Sequence, residues 1–393
     1  MSKIVFFCIP AHGHTNPTLG VVAELIKRKH EVWYYSYEPF REKIESLGAK
    51  FIACDEYDCE QKLDPKDATK VGKDLAFSTQ LLVDTTLALD DMVCKQMQKL
   101  QPDCIVADSM AVWGKAVALK LGIAFLSSTT TFAFNQHSAK IMKHDIRQLF
   151  GMIFSMSKIN KNIKRLQDKG YPIHSVLDII QNDNDTHTIV YTSPQFQPCS
   201  ETFSDKYAFI GPSVRPPQTE IEKTKDRLLY ISMGTVINDQ LSFYQKCISA
   251  FADTDYQVIL SVGNLVSIKT LGELPENITV TNFVDQIAVL NKADVFLSHC
   301  GMNSVNESLY YQVPLVMYPQ TSEQGGVATR VEQLGAGIRL KKITPAAIRE
   351  AVEQVMNQPS YRENARKISE GFHQCGGVKQ AADKIEQLCK HPS

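Results

Sequence analysis

The stretch at residues 283–324, FVDQIAVLNKADVFLSHCGMNSVNESLYYQVPLVMYPQTSEQ, decides the fold of this chain. At its centre, the short apolar run DVFLS at 294–298 is typical of a buried strand, and the glycine-bearing turn His299-Cys300-Gly301 follows it. The pattern predicts a strand, a turn and then a helix that begins at about Ser304.

The start of this predicted helix is a candidate phosphate site. The first amides of a helix have no partner within it and lie at the positive end of the helix dipole, so a phosphate is a natural ligand for them. His299 adds a side-chain donor beside them. A purely structural interpretation is also open, because Ser304 and Glu307 fit the S-x-x-E capping box that occurs in helices without ligands.

The segments on either side of this turn carry groups that suit a nucleotide sugar. Upstream, Phe283 and Gln286 follow a predicted strand at 278–282 and offer an aromatic face and an amide to a base. Downstream, residues 319–324 follow the apolar run 314–318 and offer a carboxylate and amides at a strand end. A base platform, a phosphate turn, a ribose acceptor and a polar clamp for a sugar therefore occur in that order.

This order resembles the donor-binding signature of the UDP-dependent glycosyltransferases with the GT-B fold, whose plant form reads W-x-P-Q … H-C-G-W-N-S … E … P … D/E-Q. The matching residues are His299, Cys300, Gly301, Asn303, Ser304, Glu307, Pro314, Glu323 and Gln324. Three positions depart from it: Phe283 stands in place of Trp, Asp285 in place of Pro, and Met302 in place of the Trp of plant members. Phenylalanine can still stack on uracil.

The resemblance implies a role for each part of the donor site. Phe283 would contact the base, Glu307 would accept hydrogen bonds from the ribose hydroxyls, and Glu323 with Gln324 would hold the sugar, the final Gln favouring glucose. The implied donor-binding residues are Gly234, Thr235, Phe283, Val284, Gln286, His299, Gly301, Met302, Asn303, Ser304, Glu307, Glu323 and Gln324. The UDP-sugar would be a co-substrate, with no cofactor and no metal.

Length and composition restrict the possibilities further. A chain of 393 residues with 44% hydrophobic residues is too long for one compact core and predicts two domains. A net charge of −1 with mixed signs gives no field that would attract nucleic acid or an anionic membrane, so neither is an expected partner.

Cysteine usage and the ends of the chain favour a cytoplasmic protein. The ten cysteines are scattered without CxxC or zinc-type spacing, so reduced thiols are expected. The opening MSKIVFFCIPAHGH lacks a signal peptide's long apolar core, and no apolar run approaches the roughly 20 residues of a membrane span.

Alternation of strands and helices predicts an α/β fold. The first unit would be a strand at 3–9, a turn at 10–17 and a helix at 18–29. Further strands are predicted at 31–36, 50–54, 104–107, 124–128 and 188–191, and, after a break, at 228–232, 257–262, 278–282, 294–298 and 315–318. This pattern is typical of doubly wound parallel sheets.

The predicted domains follow from this alternation and from the resemblance. Residues 1–211 form an acceptor-binding Rossmann-like domain, and 212–226, rich in Pro and charge, form a linker. Residues 227–370 form the donor-binding Rossmann-like domain, and 371–393 are a helix that returns to the first domain. In the GT-B fold the two domains face each other across a cleft.

Two histidines and an aspartate are candidates for catalysis. His12 and His14 follow the first strand, and Asp108 ends the strand of QPDCIVAD, so all three lie at the carboxyl edge of the predicted sheet, where open α/β sheets bind ligands. A neutral imidazole suits removal of a proton from an acceptor hydroxyl, and a carboxylate behind it fixes the tautomer. His14 and Asp108 are the predicted pair, in agreement with the family motif P-x-x-G-H-x-x-P, although spacing alone leaves His12 as an alternative base.

Two other segments have weaker signals. The irregular helical region 136–182 corresponds to the region that helps to shape the acceptor pocket in GT-B relatives, although helical packing explains its side chains equally well. Asp183-Asn184-Asp185 mimics a D-x-D metal motif, but its place in a polar loop before a strand favours a turn.

The sequence thus predicts an inverting, metal-independent transfer of a hexose, with glucose favoured, from a UDP-sugar to a hydroxyl of a small lipophilic acceptor such as a macrolide or flavonoid. Bacterial macrolide-type members resemble the chain from its PAHGHTNPTL opening to its GG-x-x-x-AA closing helix. The alternatives are a UDP-sugar epimerase or lipid-intermediate glycosyltransferase of the same fold, and a nucleotide-binding module without catalysis. A dehydrogenase is disfavoured because the first turn lacks G-x-G-x-x-G.

Overall fold

The structure is a computed structural model, and it describes residues 1–57, 59, 74–138, 146–175, 178, 182 and 184–390. The chain forms two compact units. Unit 1 contains Met1–Tyr191, Cys199–Ser213 and the chain from Gly376 onward, and unit 2 contains Thr192–Pro198 and Val214–Cys375.

Unit 1 is built on a sheet of seven parallel strands. The strands are β1 (Lys3–Phe7), β2 (Glu31–Ser36), β3 (Lys50–Ala53), β4 (Cys104–Asp108), β5 (Phe125–Thr129), β6 (His187–Val190) and β7 (Tyr207–Phe209). They lie in the order β3-β2-β1-β4-β5-β6-β7, so the winding reverses between β1 and β4. The helices are α1 (His12–Lys27), α2 (Arg41–Glu45), α3 (Leu75–Leu100), α4 (Val112–Leu121) and α5 (Ile146–Asp168).

The apolar run of β1 explains why this sheet is covered on both faces. Ile4 and Phe6 belong to one buried cluster, whereas Val5 and Phe7 belong to another on the opposite face, because successive side chains of a strand alternate. The last helix, α12 (Gly377–Lys390), contributes to the cluster of Ile4 and Phe6 and packs against α1.

Unit 2 repeats this architecture with six parallel strands. The strands are β8 (Arg227–Ser232), β9 (Tyr256–Ser261), β10 (Ile278–Thr281), β11 (Val295–Ser298), β12 (Leu315–Met317) and β13 (Gly337–Arg339). They lie in the order β10-β9-β8-β11-β12-β13, with the reversal between β8 and β11. The helices are α6 (Leu241–Phe251), α7 (Gln286–Leu290), α8 (Met302–Tyr310), α9 (Ser322–Gln333), α10 (Pro345–Asn357) and α11 (Pro359–His373).

The two parallel α/β units confirm the predicted fold class, and several element boundaries differ from the prediction. Helix α1 begins at His12 rather than residue 18, because Ala11 has an extended backbone and its carbonyl already accepts from the amides of His14 and Thr15. Pro17 lies inside the helix, where it forgoes one helical hydrogen bond. Strands β7 and β13 were not predicted, since three residues at a sheet edge are too short to form an apolar run.

The units also differ in detail from the predicted domains. Thr192–Pro198 belongs to unit 2, because the guanidinium of Arg330 donates to the carbonyls of Gln195 at 2.7 Å and Phe196 at 2.9 Å. The linker from Val214 also groups with unit 2. Helix α11 continues past residue 371, so the returning helix is only α12. Among the described residues, no helix combines the length and apolarity needed to cross a bilayer.

Candidate functional site

The predicted catalytic pair meets at the reversal point of unit 1. His14 lies in the first turn of α1, which follows β1, and Asp108 is the last residue of the neighbouring β4. The imidazole Nδ1 lies 2.8 Å from the carboxylate Oδ2 of Asp108. The carboxylate is fully buried, whereas the His14 side chain is 18% exposed. With Nδ1–H donating to the carboxylate, Nε2 is the nitrogen that can accept a proton.

Two further contacts hold this pair in place. The amide of Met110 donates to the second Asp108 oxygen, Oδ1, at 2.8 Å, which fixes the plane of the carboxylate. The hydroxyl of Thr130 lies 3.1 Å from Nδ1 of His14. Thr130 was not predicted as a site residue, although it directly follows β5, the neighbour of β4 in the sheet.

The alternative base, His12, has different surroundings. Its ring meets the ring of Phe40 edge to face, with 4.9 Å between the centroids. Burial, with a smaller contribution from Lys43, lowers the pKa of His12. In the described part of the chain, only His14 of the two histidines has a carboxylate partner, and this favours His14 as the base.

The predicted phosphate turn lies at the reversal point of unit 2. It follows β11, whose neighbour β8 ends in the loop of Gly234 and Thr235, so both turns lie at the carboxyl edge of one sheet. Helix α8 begins at Met302, with Gly301 as its N-cap and no side-chain cap. The predicted start at Ser304 is therefore wrong, and so is the capping box. Ser304 is the third residue of the helix and Glu307 lies in its interior.

This correction favours an anion site over a self-capped helix. Gly301 has no side chain that could cap the helix. The amides at the start of any α-helix have no acceptor within the helix itself. They lie at the positive end of the helix dipole, where a phosphate binds favourably.

His299 is fixed between two glycines. A Cβ added to Gly234 would lie 2.5 Å from Cε1 of the imidazole, and one added to Gly301 would lie 2.6 Å from Nε2. Only glycine fits at either position. Burial lowers the pKa of His299 to about 4, with a small opposing contribution from the backbone of Ser232, so the ring is neutral near neutral pH. It can act as a hydrogen-bond donor to an anion but does not add a charge.

Gln286, the first residue of α7, connects the loop that follows β10 to helix α8. Its Nε2 donates to Oε2 of Glu307 at 2.5 Å and to Oγ of Ser304 at 3.3 Å, while its Oε1 accepts from the hydroxyl of Tyr230 at 3.2 Å. Burial raises the pKa of Glu307 to about 7, and the Gln286 hydrogen bond opposes this rise. The carboxyl group therefore titrates near neutral pH.

The remaining predicted donor residues surround these groups at the same edge. Phe283 follows β10 with 57% of its side chain exposed, as a base platform requires. Val284 and Asn303 are half-buried, Met302 is buried, and Thr235 is exposed.

The residues predicted to hold the sugar lie at the start of α9. A capping box operates here: the Gln324 amide donates to Oγ1 of Thr321 at 3.3 Å, and Oε1 of Gln324 accepts from the amides of Gln320 and Thr321. The side-chain carbonyl of Gln324 is thus engaged, and its Nε2 is the group left to meet a sugar hydroxyl. Glu323 is exposed.

Other predicted segments lie partly outside the described residues. Asp183 lies outside the described residues, and so does part of the predicted acceptor region 136–182. Asn184 and Asp185 lie in a polar turn, where the Asn184 amide donates to the Thr202 carbonyl at 3.4 Å.

One family model and several known proteins are similar to this chain. Residues 245–382 match the family model described as Erythromycin biosynthesis protein CIII-like, C-terminal domain. The chain is 32% identical to the uncharacterized UDP-glucosyltransferase YojK of Bacillus subtilis (strain 168), covering 99% of this chain and 98% of YojK. It is 27% identical to the demethyllactenocin mycarosyltransferase of Streptomyces fradiae, covering 99% of this chain and 87% of that protein.

The structure also resembles a solved glycosyltransferase. The crystal structure of the calicheamicin glycosyltransferase CalG4 matches with a TM-score of 0.83 and 26% identity, covering 100% of this chain and 99% of CalG4. The fold, the two candidate sites and the full-length similarity to YojK lead to one conclusion. The chain belongs to the family of bacterial macrolide-type UDP-glycosyltransferases with the GT-B fold, and it is an enzyme that transfers a sugar.

Proposed function

We propose that the chain transfers a hexose, with glucose preferred, from a UDP-sugar to a hydroxyl of a small lipophilic acceptor, with inversion at the anomeric carbon. The observation that carries this proposal is the hydrogen bond between His14 and Asp108, which sets Nε2 of His14 as a base. The helix start at Met302 supports the donor side of the reaction.

In the proposed reaction, one bond forms and one bond breaks at the anomeric carbon while a proton leaves the acceptor hydroxyl. Nε2 of His14 takes the proton of the acceptor hydroxyl while the oxygen forms a bond to this carbon. The bond between the carbon and the diphosphate oxygen breaks, its electron pair leaves with UDP, and the configuration inverts. Asp108 stabilises the imidazolium that forms.

The leaving diphosphate is stabilised by backbone and neutral donors. The first amides of α8, the hydroxyl of Thr235 and the neutral ring of His299 provide hydrogen bonds where charge develops. In this proposal no metal takes part. Phe283 stacks on uracil, and Glu307 accepts from the ribose hydroxyls.

The proposed acceptor class and sugar are supported by the names of relatives and by one exposed apolar side chain. The name of one relative gives demethyllactenocin as the acceptor, and glucose is the sugar in the name that YojK bears. Met110 is a large apolar side chain, 45% exposed, two residues after Asp108. An exposed apolar side chain two residues from the carboxylate partner of the base suits a lipophilic acceptor.

Transfer is tested directly by incubating the purified chain with UDP-glucose and a panel of macrolides and flavonoids. Mass spectrometry should show the addition of one hexose, and proton NMR should show a β-glucoside, the inverted product of an α-linked donor. Excess EDTA should leave the rate unchanged. An α-glucoside, or a rate lost in EDTA and restored by Mg²⁺, would contradict the mechanism. Hexose transfer only from dTDP-glucose would contradict the donor.

Donor binding should depend on pH through Glu307. Because the pKa of Glu307 is about 7, the ionised form that best accepts ribose hydroxyls becomes populated as pH rises through that value. The Kd of UDP-glucose, whose phosphates do not titrate in this range, should fall severalfold between about pH 6 and about pH 8. Calorimetry without acceptor measures this, and Glu307→Gln should remove the dependence. A wild-type Kd that is flat over this range would show that Glu307 does not bind ribose as a carboxylate.

A further inference from the structure

Asp285 makes an unusual set of contacts for a residue in a donor-binding loop. It stands between the exposed Phe283 and α7, yet its side chain is only 6% exposed. Oδ1 accepts from Nη2 of Arg215 at 2.5 Å, and Oδ2 accepts from the amides of Gln218 at 2.6 Å and Thr219 at 3.1 Å. A single buried carboxylate thus binds residues 215–219, which we call the strap.

These contacts are strong enough to shape the loop. A buried carboxylate is stable only when its oxygens are satisfied, and here a guanidinium and two backbone amides satisfy them. Removal of the guanidinium would leave the carboxylate, whose side chain is only 6% exposed, with the two backbone amides alone. Because the strap and the loop are distant in sequence but belong to the same unit, the carboxylate holds both in one arrangement.

The loop that Asp285 holds carries the proposed nucleoside contacts. Phe283 lies two residues before Asp285, and Gln286 follows it and donates to Glu307 and Ser304. The carbonyl of Asp285 also accepts the first helical hydrogen bond of α7, from the Val289 amide at 3.1 Å. A shift of Asp285 would therefore move the base platform and the amide that orients Glu307 together.

The donor-binding signature of the family also indicates that Asp285 restrains the loop. The signature has Pro at this position, and Pro fixes the backbone near φ of about −65° by its ring. Asp285 has a φ of −67° in this chain, so the backbone has the same form although the residue does not impose it. The side-chain contacts of Asp285 supply a restraint that a proline ring would otherwise give.

We propose that the ion pair of Arg215 with Asp285 holds the loop at 282–285 in the conformation that binds the nucleoside of the donor, so that both are positioning residues for donor binding. This inference rests on the UDP-sugar function proposed above. It means that the start of the linker contributes to donor affinity. The composition of the linker does not indicate this role.

The chain offers a matched control on the same linker. Lys223 donates to Oδ2 of Asp294 at 2.6 Å, a distance close to that of the Arg215 pair. Asp294 precedes β11 and therefore lies at the amino edge of the sheet, whereas the Phe283 loop follows β10 at the carboxyl edge. Loss of the Lys223 pair should weaken the attachment of the linker without moving the loop at 282–285.

The test is calorimetric titration of the full chain with UDP. Arg215→Gln and Asp285→Asn should each raise the Kd about tenfold, and the double variant should raise it no further, because both changes remove one interaction. Arg215→Lys should retain most of the affinity, since its charge can still pair with Asp285. Lys223→Gln should bind UDP as the wild type does.

Further measurements distinguish loss of folding, failure of the positioning role and failure of the proposed function. Thermal unfolding followed by circular dichroism should show that all variants remain folded, and the KM for the acceptor should stay near the wild-type value. A wild-type Kd in Arg215→Gln and Asp285→Asn, or an equal loss in Lys223→Gln, would overturn the positioning role while leaving the proposed function in place. If the wild type itself bound no UDP, the proposed function would fail and this inference with it.

Discussion

Replacing His14 by alanine should slow sugar transfer by at least about 10²-fold while the affinity for UDP stays nearly unchanged. The expected loss follows from the position of the ring, because Nδ1 is hydrogen-bonded to Asp108 at 2.8 Å and the proposal assigns proton transfer to Nε2. Donor affinity should not change, because His14 belongs to unit 1 and every predicted donor residue belongs to unit 2. Initial rates with saturating UDP-glucose, together with calorimetry, give both quantities.

Two further variants show whether the pair acts as a unit. Asp108→Asn should also lower the rate by orders of magnitude, because an amide in place of the carboxylate no longer fixes the tautomer or stabilises the imidazolium. His12→Ala should keep most of the activity, since the His12 ring packs on Phe40. The opposite pattern, with full turnover in His14→Ala and loss in His12→Ala, would assign the base to His12.

Replacing Gly234 by alanine should weaken UDP binding by about tenfold or more, which corresponds to about 1.4 kcal/mol. The new methyl group would lie 2.5 Å from the His299 ring, and the ring cannot retreat because Gly301 contacts it as well. The imidazole and the backbone at the start of α8 must move, and these are the groups proposed to hold the diphosphate. Calorimetric titration with UDP measures the effect.

A second glycine of unit 2 provides the control for backbone strain. Gly234 has a φ of +78° and Gly272 a φ of +89°, so alanine is strained at both positions. A Cβ at Gly272, however, would have nothing within 4 Å. Gly272→Ala should therefore reduce the free energy of unfolding by roughly 1–3 kcal/mol without changing the Kd of UDP. Equal weakening of UDP binding in both variants would mean that strain, and not the displaced His299, causes it.

Much of the architecture could be predicted because the responsible signals are local. The apolar run of β11 and the glycine turn after it predicted a strand, a turn and a helix, and the structure places these elements there. The meeting of His14 and Asp108 was also predictable, since residues at the carboxyl ends of neighbouring parallel strands lie on one edge.

The start of α8 was predicted two residues too late for a physical reason. Ser304 and Glu307 have the spacing of a capping box, but the helix is already formed at Met302, so the hydroxyl and carboxylate are available to Gln286 instead. A reciprocal capping box does form at Thr321 and Gln324. Side-chain spacing alone does not show which of two similar motifs caps a helix.

Two other contacts between residues distant in sequence could not be predicted. Thr130 reaches His14 only because β5 lies beside β4, and a threonine after a strand is otherwise an ordinary residue. The pairing of Arg215 with Asp285 joins a segment assigned to a linker with a loop at the end of β10. Neither pair has a spacing or composition signal, and each depends on packing that the sequence does not display.

The account depends most on the diphosphate binding at the start of α8, and a crystal structure of the chain with UDP tests this directly. The expected result is diphosphate oxygens within hydrogen-bond distance of the first amides of α8, with the uracil stacked on Phe283 and the ribose hydroxyls bonded to Glu307. Diphosphate bound elsewhere, with no phosphate oxygen at the start of α8, would contradict the account.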